Sequence, residues 1–299
     1  MRIAIAGSSG LIGTALGEAL EARGDELVRL VRRPPAHAGE VRWDPAAGQL
    51  DPAALEDVSA IVNLAGAGIG DKRWTAAYKQ TLIDSRVDST HTIAEAIAHL
   101  DAPVRLVNGS AMGYYGDRGE ETLDEDAAPG TGFLADLVTA WESAAAPASA
   151  VGSPVAFART GLVIAPDGGL MSRVLPLAKL GLGGPLGSGR QWWSWMSLPD
   201  EVAALVHLVD HPEITGPVNL SVPAETAVRQ RDAMRALGRQ LHRPAVLPAP
   251  APALKIVLGE FANDVLASTL MAPTVLQRSG FEWSMHDIDD VMRYAARGA

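Results

Sequence analysis

The sequence predicts an α/β fold with a doubly wound parallel sheet and a smaller C-terminal lobe. Three features carry this expectation. Short apolar runs alternate with stretches of helical periodicity, the first run ends in a glycine turn that opens a helix, and 299 residues suffice for such a sheet plus a second lobe. The organisation expected is a nucleotide-binding domain over residues 1–160, rejoined by 191–222, with 161–299 mainly forming the second lobe.

Composition narrows the functional classes. Twenty-five basic against 35 acidic side chains give a formal charge of −10, with no dense basic stripe, so nucleic acid and an anionic membrane surface are not expected as partners. The absence of cysteine removes disulfides, thiolate zinc sites and cysteine nucleophiles from consideration. The first strand starts too early for a signal peptide, and charges, Gly or Pro interrupt every apolar run. A soluble cytoplasmic protein, monomeric or homodimeric, is the expectation.

The first strand, Arg2 to Ala6, runs into Gly7-Ser8-Ser9-Gly10-Leu11-Ile12-Gly13. Gly7 suits a positive φ, Gly10 lets a pyrophosphate approach the backbone, and Gly13 lets the following helix pack on its strand. Leu11/Ile12, Ala15/Leu16 and Ala19/Leu20 form one helical face, and Gly24 stops the helix. Free N–H groups and the positive dipole end at the helix start suit phosphate. The stretch from Gly7 to Gly13 is therefore read as a dinucleotide site.

A second strand, Glu26 to Val31, ends in Arg32-Arg33, where an NAD site usually places an acid for the ribose hydroxyls. Two guanidinium groups there favour the 2′-phosphate of NADP, the alternative being a solvated charge pair at a strand end. A short third strand starts at Val41. Asp44 after it is a candidate acceptor for the adenine amino group, although an Asp before Pro45 is equally a turn residue. After a short helix at Pro52–Leu55, the buried strand from Ala60 ends in Leu64-Ala65-Gly66, a second small-residue turn expected to face the cofactor.

Asp71-Lys72-Arg73-Trp74 forms a cationic loop, and a helix over about 75–100 carries Arg86, which with Ser110 of the next strand end is a further candidate cofactor-binding residue. Lys72 and Arg73 suit a phosphate or carboxylate, or simply solubility. The next strand, Arg105 to Asn108, leads into Gly109-Ser110-Ala111-Met112-Gly113-Tyr114-Tyr115-Gly116. Ser110 is placed to hydrogen-bond a carbonyl or alcohol, and Tyr115 to donate a proton if its pKa is lowered; the alternative is a turn padded by aromatic core. A helix spans Phe133–Glu142. A buried strand, Pro154 to Arg159, continues to Ile164, and Gly and Leu dominate Pro176 to Arg190. Gln191 to Met196 gathers three of the seven tryptophans, two of them expected in a core. A helix starts at Leu198-Pro199-Asp200, Asn219–Val222 reads as a strand, Thr226–Leu241 as an amphipathic helix, and Asp287–Ala296 as a closing helix. No His pair stands at metal-ligand spacing.

The glycine turn, Asn63-Leu64-Ala65-Gly66 and the Ser110 to Gly116 segment resemble the extended short-chain dehydrogenase/reductase superfamily. Arg73-Trp74, Gly113-Tyr114-Tyr115-Gly116-Asp117, Arg159-Thr160-Gly161 and Leu186 to Trp192 are similar to an atypical bacterial branch, the NAD-dependent epimerase/dehydratase-like "epimerase family". Gly216 to Asn219 and Leu258-Gly259-Glu260 extend the resemblance over essentially the whole chain. It implies a Rossmann-like fold, a C-terminal substrate lobe, NADP(H) binding and catalysis by Ser, Tyr and Lys. Ser110 stands at the Ser position. The residues four beyond Tyr78, Tyr114, Tyr115 and Tyr294 are Leu82, Arg118, Gly119 and Gly298, so no Tyr-x-x-x-Lys exists. Aligned on Glu142, Leu134 stands at the Tyr position and Val138 at the Lys position.

Two functions remain open on these residues. One is an NADP-dependent oxidoreductase or epimerase acting on a small polar, possibly sugar-derived, substrate, with Ser110, Tyr115 and Lys72 as the catalytic set. The other is an NADP(H)-binding sensor or partner protein without turnover.

Overall fold

A computed structural model describes residues 1–298. Its main sheet has seven strands. Five come from the first 111 residues: β1 (Arg2–Ala6), β2 (Glu26–Val31), β3 (Glu40–Arg42), β4 (Ala60–Asn63) and β5 (Arg105–Ala111). The strand Val155–Thr160 lies beyond β5 and Gly216–Leu220 forms the outer edge, so that the order reverses at β1, which sits between β4 and β2. The pairings β1 with β2, β1 with β4, β2 with β3 and β4 with β5 are all parallel. This is the Rossmann-like arrangement, whose ligands lie outside the carboxyl ends of the strands at the point of reversal.

The central strands read as nearly continuous apolar runs because helices cover both faces of a parallel sheet. Ile3, Ala4, Ile5, Ala6, Ile61 and Val62 have no exposed surface. Three helices matter for the site: α1 (Leu11–Arg23), α2 (Ala76–Ala98) and α3 (Phe133–Ser143). Gly24 closes α1 at φ 90°, and the Thr75 hydroxyl caps α2 by accepting from the Tyr78 amide at 3.2 Å. Ile93, Ala94 and Ile97 of α2 join Ala4, Leu30, Ile61 and Leu106 in the core of the sheet.

The chain divides into two compact units. The first comprises 1–111, 136–159 and 202–218; the second holds 112–135, 160–201 and the residues from 219 on. Two segments differ from the sequence expectation: 112–135 clusters with the second unit, and of the returning segment only 202–218 rejoins the first. The second unit has its own core around Ile164, Leu175, Trp193, Trp195, Met234, Leu237 and Met292. Trp193 and Trp195 are core, whereas Trp192 is partly exposed, with the Arg229 guanidinium 3.7 Å above its ring.

Three elements depart from their sequence-based limits. The outer strand begins at Gly216, not Asn219, because a Gly-Pro start disguises a strand that can tolerate Pro217 only at an edge. The helix Gln230–Leu241 starts after a short bridge strand, Val228–Arg229, which pairs with Trp192–Trp193. An unanticipated helix, Met171–Lys179, carries Pro176 in its interior, a residue that reads in sequence as a breaker.

Candidate functional site

The glycine turn has the geometry its residues dictate. Gly7 adopts φ 80°, and a Cβ there would lie 2.6 Å from the carbonyl group of Leu64, so the turns after β1 and β4 touch through backbone. A Cβ on Gly13 would stand 2.2 Å from the Gly7 carbonyl oxygen, which is why α1 can start this close to its strand. At Gly10 the nearest neighbour of such a Cβ is the Gly7 oxygen at 3.4 Å, which leaves the rest of that approach open. Gly10 is the N-cap of α1 without a side-chain cap, and the amides of Leu11, Ile12 and Gly13 have no acceptor among the described residues. Exposed Ser9 and partly buried Ser8 complete the loop. Orphan amides at the start of a 13-residue helix fit a pyrophosphate.

At the end of β2 the two arginines differ. Arg33 forks onto Glu40 with two bonds of 2.5 and 2.7 Å, and the Ala36 amide also donates to Glu40. The Arg33 fork and that amide hold the Glu40 carboxyl down at about 2. Arg33 is therefore engaged by the first residue of β3, while exposed Arg32 makes no hydrogen bond or ion pair among the described residues. Asp44 is exposed and its backbone pairs with Gln49 across a tight turn closed by Gly48 at φ 65°. Turn chemistry accounts for its backbone.

After β4 the small-residue turn is tied down by a buried polar network. The register sets Asn63 beside Asn108, and the Asn63 amide donates to Asn108 Oδ1 at 2.8 Å and to Thr90 Oγ1 at 3.0 Å. Trp141 Nε1 donates to the same Thr90 oxygen at 2.9 Å, and the Ala65 amide donates back to Asn63 Oδ1. Leu64, Ala65 and Gly66 thus leave the sheet in a fixed direction. Arg86 lies against this turn: a Cβ on Gly66 would be 3.2 Å from its guanidinium carbon. Its guanidinium covers the Trp141 ring at 5.2 Å and donates to the Leu82 carbonyl, with no carboxylate partner among the described residues. Burial pushes its pKa down to about 10, which leaves the cation intact at neutral pH.

The three residues of the expected catalytic set, Ser110, Tyr115 and Lys72, have the following surroundings. Ser110 is 5% exposed, and its hydroxyl donates to Glu142 Oε1 at 2.6 Å. Arg159 donates to both oxygens of Glu142 at 2.9 Å, so the serine's proton is committed to a clamped carboxylate that ties β5, α3 and the strand Val155–Thr160 together. Tyr115, in the second unit, is fully buried; its hydroxyl donates to Asn219 Oδ1 at 2.7 Å and also lies 3.1 Å from the Asp124 carbonyl. Both hydroxyls are thus hydrogen-bonded within the protein, to Glu142 and to Asn219. Lys72 is exposed on its loop, 5.7 Å from the Tyr78 ring centre. Val138 is 1% exposed, and Leu134 packs where a Cβ on Gly113 would be 3.0 Å from its own. Glu142, Trp141, Thr90 and Asn108 were not among the residues singled out by sequence. Among the described residues no group of three or more His, Asp or Glu is placed to hold a metal, and no helix is long and apolar enough to cross a membrane.

The sheet order and the two facing turns define an α/β protein built to present backbone amides at the centre of a doubly wound sheet. Residues 3–220 match the model of the NAD dependent epimerase/dehydratase family, and the chain belongs to that family. Residues 249–295 match a second model, described only as a domain of unknown function (DUF1731). An epimerase family protein of Mycobacterium bovis is 46% identical over 295 residues, covering 98% of this chain and 97% of its own. Among solved structures, the human epimerase family protein SDR39U1 with NADPH superposes with a TM-score of 0.89 at 29% identity, over 99% of both chains. A nucleoside-diphosphate sugar epimerase from Corynebacterium glutamicum gives 0.81 at 32% identity, over 99% of this chain and 58% of its own.

Proposed function

We propose that this chain is an NADP(H)-binding member of its family, an oxidoreductase or epimerase for a small polar substrate. The observation that carries the cofactor reading is the open backbone at Gly10 above three orphan amides of α1. Arg32 supports NADP over NAD, since a free guanidinium stands where an NAD site has an acid. The human relative crystallised with NADPH supports the same choice. When bound, the cofactor would supply or accept a hydride; this chain's residues would hold its phosphates at Leu11–Gly13 and its adenosine half near Arg32.

The catalytic half of the reading names Ser110, Tyr115 and Lys72, of which the two hydroxyls are hydrogen-bonded to Glu142 and Asn219. A sugar-derived substrate is supported by the C. glutamicum relative's description as a nucleoside-diphosphate sugar epimerase. The engaged hydroxyls of Ser110 and Tyr115, with Leu134 and Val138 at the positions of the family's Tyr and Lys, favour a second reading, an NADP(H)-binding sensor without turnover.

Calorimetric titration with NADPH and NADH, for the parent and Gly10→Val, tests the cofactor reading. The parent is expected to bind NADPH preferentially, and a folded Gly10→Val, judged by far-UV circular dichroism, to lose that binding. Parental affinity in a folded variant rules the turn out. NADPH oxidation against a carbonyl panel then separates the two functions: turnover supports the enzyme, and a cofactor that raises Tm without any turnover supports the sensor.

A further inference from the structure

The resemblance implies a lysine at residue 138 of α3, where this chain has Val138, and a different cation, Arg86, meets Trp141 three residues further along that helix. Val138 and Trp141 are three apart on α3 and so lie along one face of the helix. Arg86 and Thr90 are four apart on α2, and both meet Trp141: Thr90 accepts from the indole nitrogen, and the Arg86 guanidinium covers the ring at 5.2 Å. Trp141 in turn lies against the end of β5, since a Cβ on Gly109 would be 3.1 Å from its ring. Arg86 is thereby carried to the carboxyl edge of β4 and β5, with Gly66 alongside. A partly buried guanidinium whose one hydrogen bond among the described residues goes to the Leu82 carbonyl retains unused donors.

Direction along the cofactor follows from the strand order. With the pyrophosphate on α1 and the adenosine half over β2 at Arg32, the other half runs over β4 and β5. That is the flank on which Arg86, Gly66 and Trp141 lie. We propose that Arg86, seated on Trp141, is the residue that positions the nicotinamide-side ribose and phosphate of NADP(H), taking from α2 the role that the family's lysine would take from residue 138. The proposal rests on the NADP(H) reading above. It also assigns Gly66 a purpose, because any side chain there meets the guanidinium at 3.2 Å.

The test compares NADPH with adenosine 2′,5′-bisphosphate, which lacks the nicotinamide half. Both are titrated calorimetrically into the parent, Arg86→Met, Arg86→Lys and Gly66→Ala. Loss of a charge-assisted hydrogen bond corresponds to about a ten- to hundredfold loss of affinity. Arg86→Met is expected to lose that much for NADPH and less than twofold for the bisphosphate, with Arg86→Lys recovering part of the loss. Gly66→Ala, which keeps the charge but displaces it, is expected to show the same selective loss, and it carries the test if Arg86→Met does not fold. Equal weakening of both ligands, or unchanged NADPH binding, overturns the proposal while leaving the cofactor reading intact. A parent that binds neither ligand ends both.

Discussion

Ser110 gives its hydroxyl proton to Glu142 across 2.6 Å, and Arg159 holds the same carboxylate through two nitrogens at 2.9 Å. The Arg159 side chain is 3% exposed and that of Glu142 13%, so the pair is desolvated and breaking it leaves an uncompensated buried charge. Glu142→Ala is expected to destabilise the fold by about 3–5 kcal/mol. Ser110→Ala removes one hydrogen bond to a charged acceptor and should cost about 1.5–3 kcal/mol. Urea denaturation supplies both values, and NADPH titration of Ser110→Ala should stay within twofold of the parent. A tenfold loss of NADPH affinity with stability unchanged would place Ser110 in the cofactor site.

Tyr115 calls for a similar expectation in the second unit. Its hydroxyl meets Asn219, whose amide donates to the carbonyls of Leu123 and Ala272, so it closes a buried polar knot. Tyr115→Phe leaves Asn219 Oδ1 without this donor, at a cost of about 1–3 kcal/mol. If turnover is found, its pH profile should be the same in parent and variant. A profile whose alkaline limb moves in Tyr115→Phe shows the phenol in the reaction.

Arg32 and Arg33 are adjacent in sequence and unequal in structure. Arg33 is spent on Glu40, whereas Arg32 is free among the described residues to meet a 2′-phosphate. Arg32→Ala should therefore reduce the NADPH-to-NADH preference about tenfold or more, as loss of a charge-assisted contact implies. Arg33→Ala should reduce it less, and Glu40→Gln, which loosens the fork, should increase it. Competitive titration of the two cofactors measures all three. If Arg33→Ala proves the more damaging, Glu40 gives way on binding and the assignment is reversed.

What the sequence disclosed follows from where each constraint originates. The positive φ of Gly7 and Gly24 and the approach of Gly13 to the Gly7 carbonyl answer to local backbone geometry, so they could be read from a strand followed by a helical face, whereas the approach of Gly7 to Leu64 could not. The strands β1, β4 and β5 were legible because burial on both faces makes their middles apolar, at Ile3–Ala6, Ala60–Val62 and Leu106–Val107. The partners of side chains were not legible. Glu40 lies seven residues from Arg33 on the next strand, and Glu142 lies 32 from Ser110, so the commitment of both predicted site residues depends on pairing that periodicity does not encode. Asn63, Thr90, Asn108 and Trp141 are each unremarkable locally; only the register of β4 on β5 and the packing of α2 and α3 make them one network.

Glu201 offers a test of the second unit independent of any ligand. Glu201 has no exposed surface; Oε1 accepts the Thr160 hydroxyl at 2.7 Å and Oε2 has no hydrogen-bond partner among the described residues. Burial raises its pKa from the ordinary 4.5 to about 8, with the Thr160 bond opposing the shift. A carboxyl with a higher pKa folded than unfolded binds more protons in the folded state across that interval. Its stabilisation is complete below about 4.5 and is lost as pH rises to about 8, with a slope of at most about 1.4 kcal/mol per pH unit. Urea midpoints of the parent and Glu201→Gln at pH 5, 6, 7 and 8 isolate this group, because other titrations cancel in the difference. The variant is expected to gain on the parent steadily from pH 5 to pH 8. A difference that stays flat over that range means that Glu201 is ionised in the folded protein, and that its second oxygen has found a partner in solution.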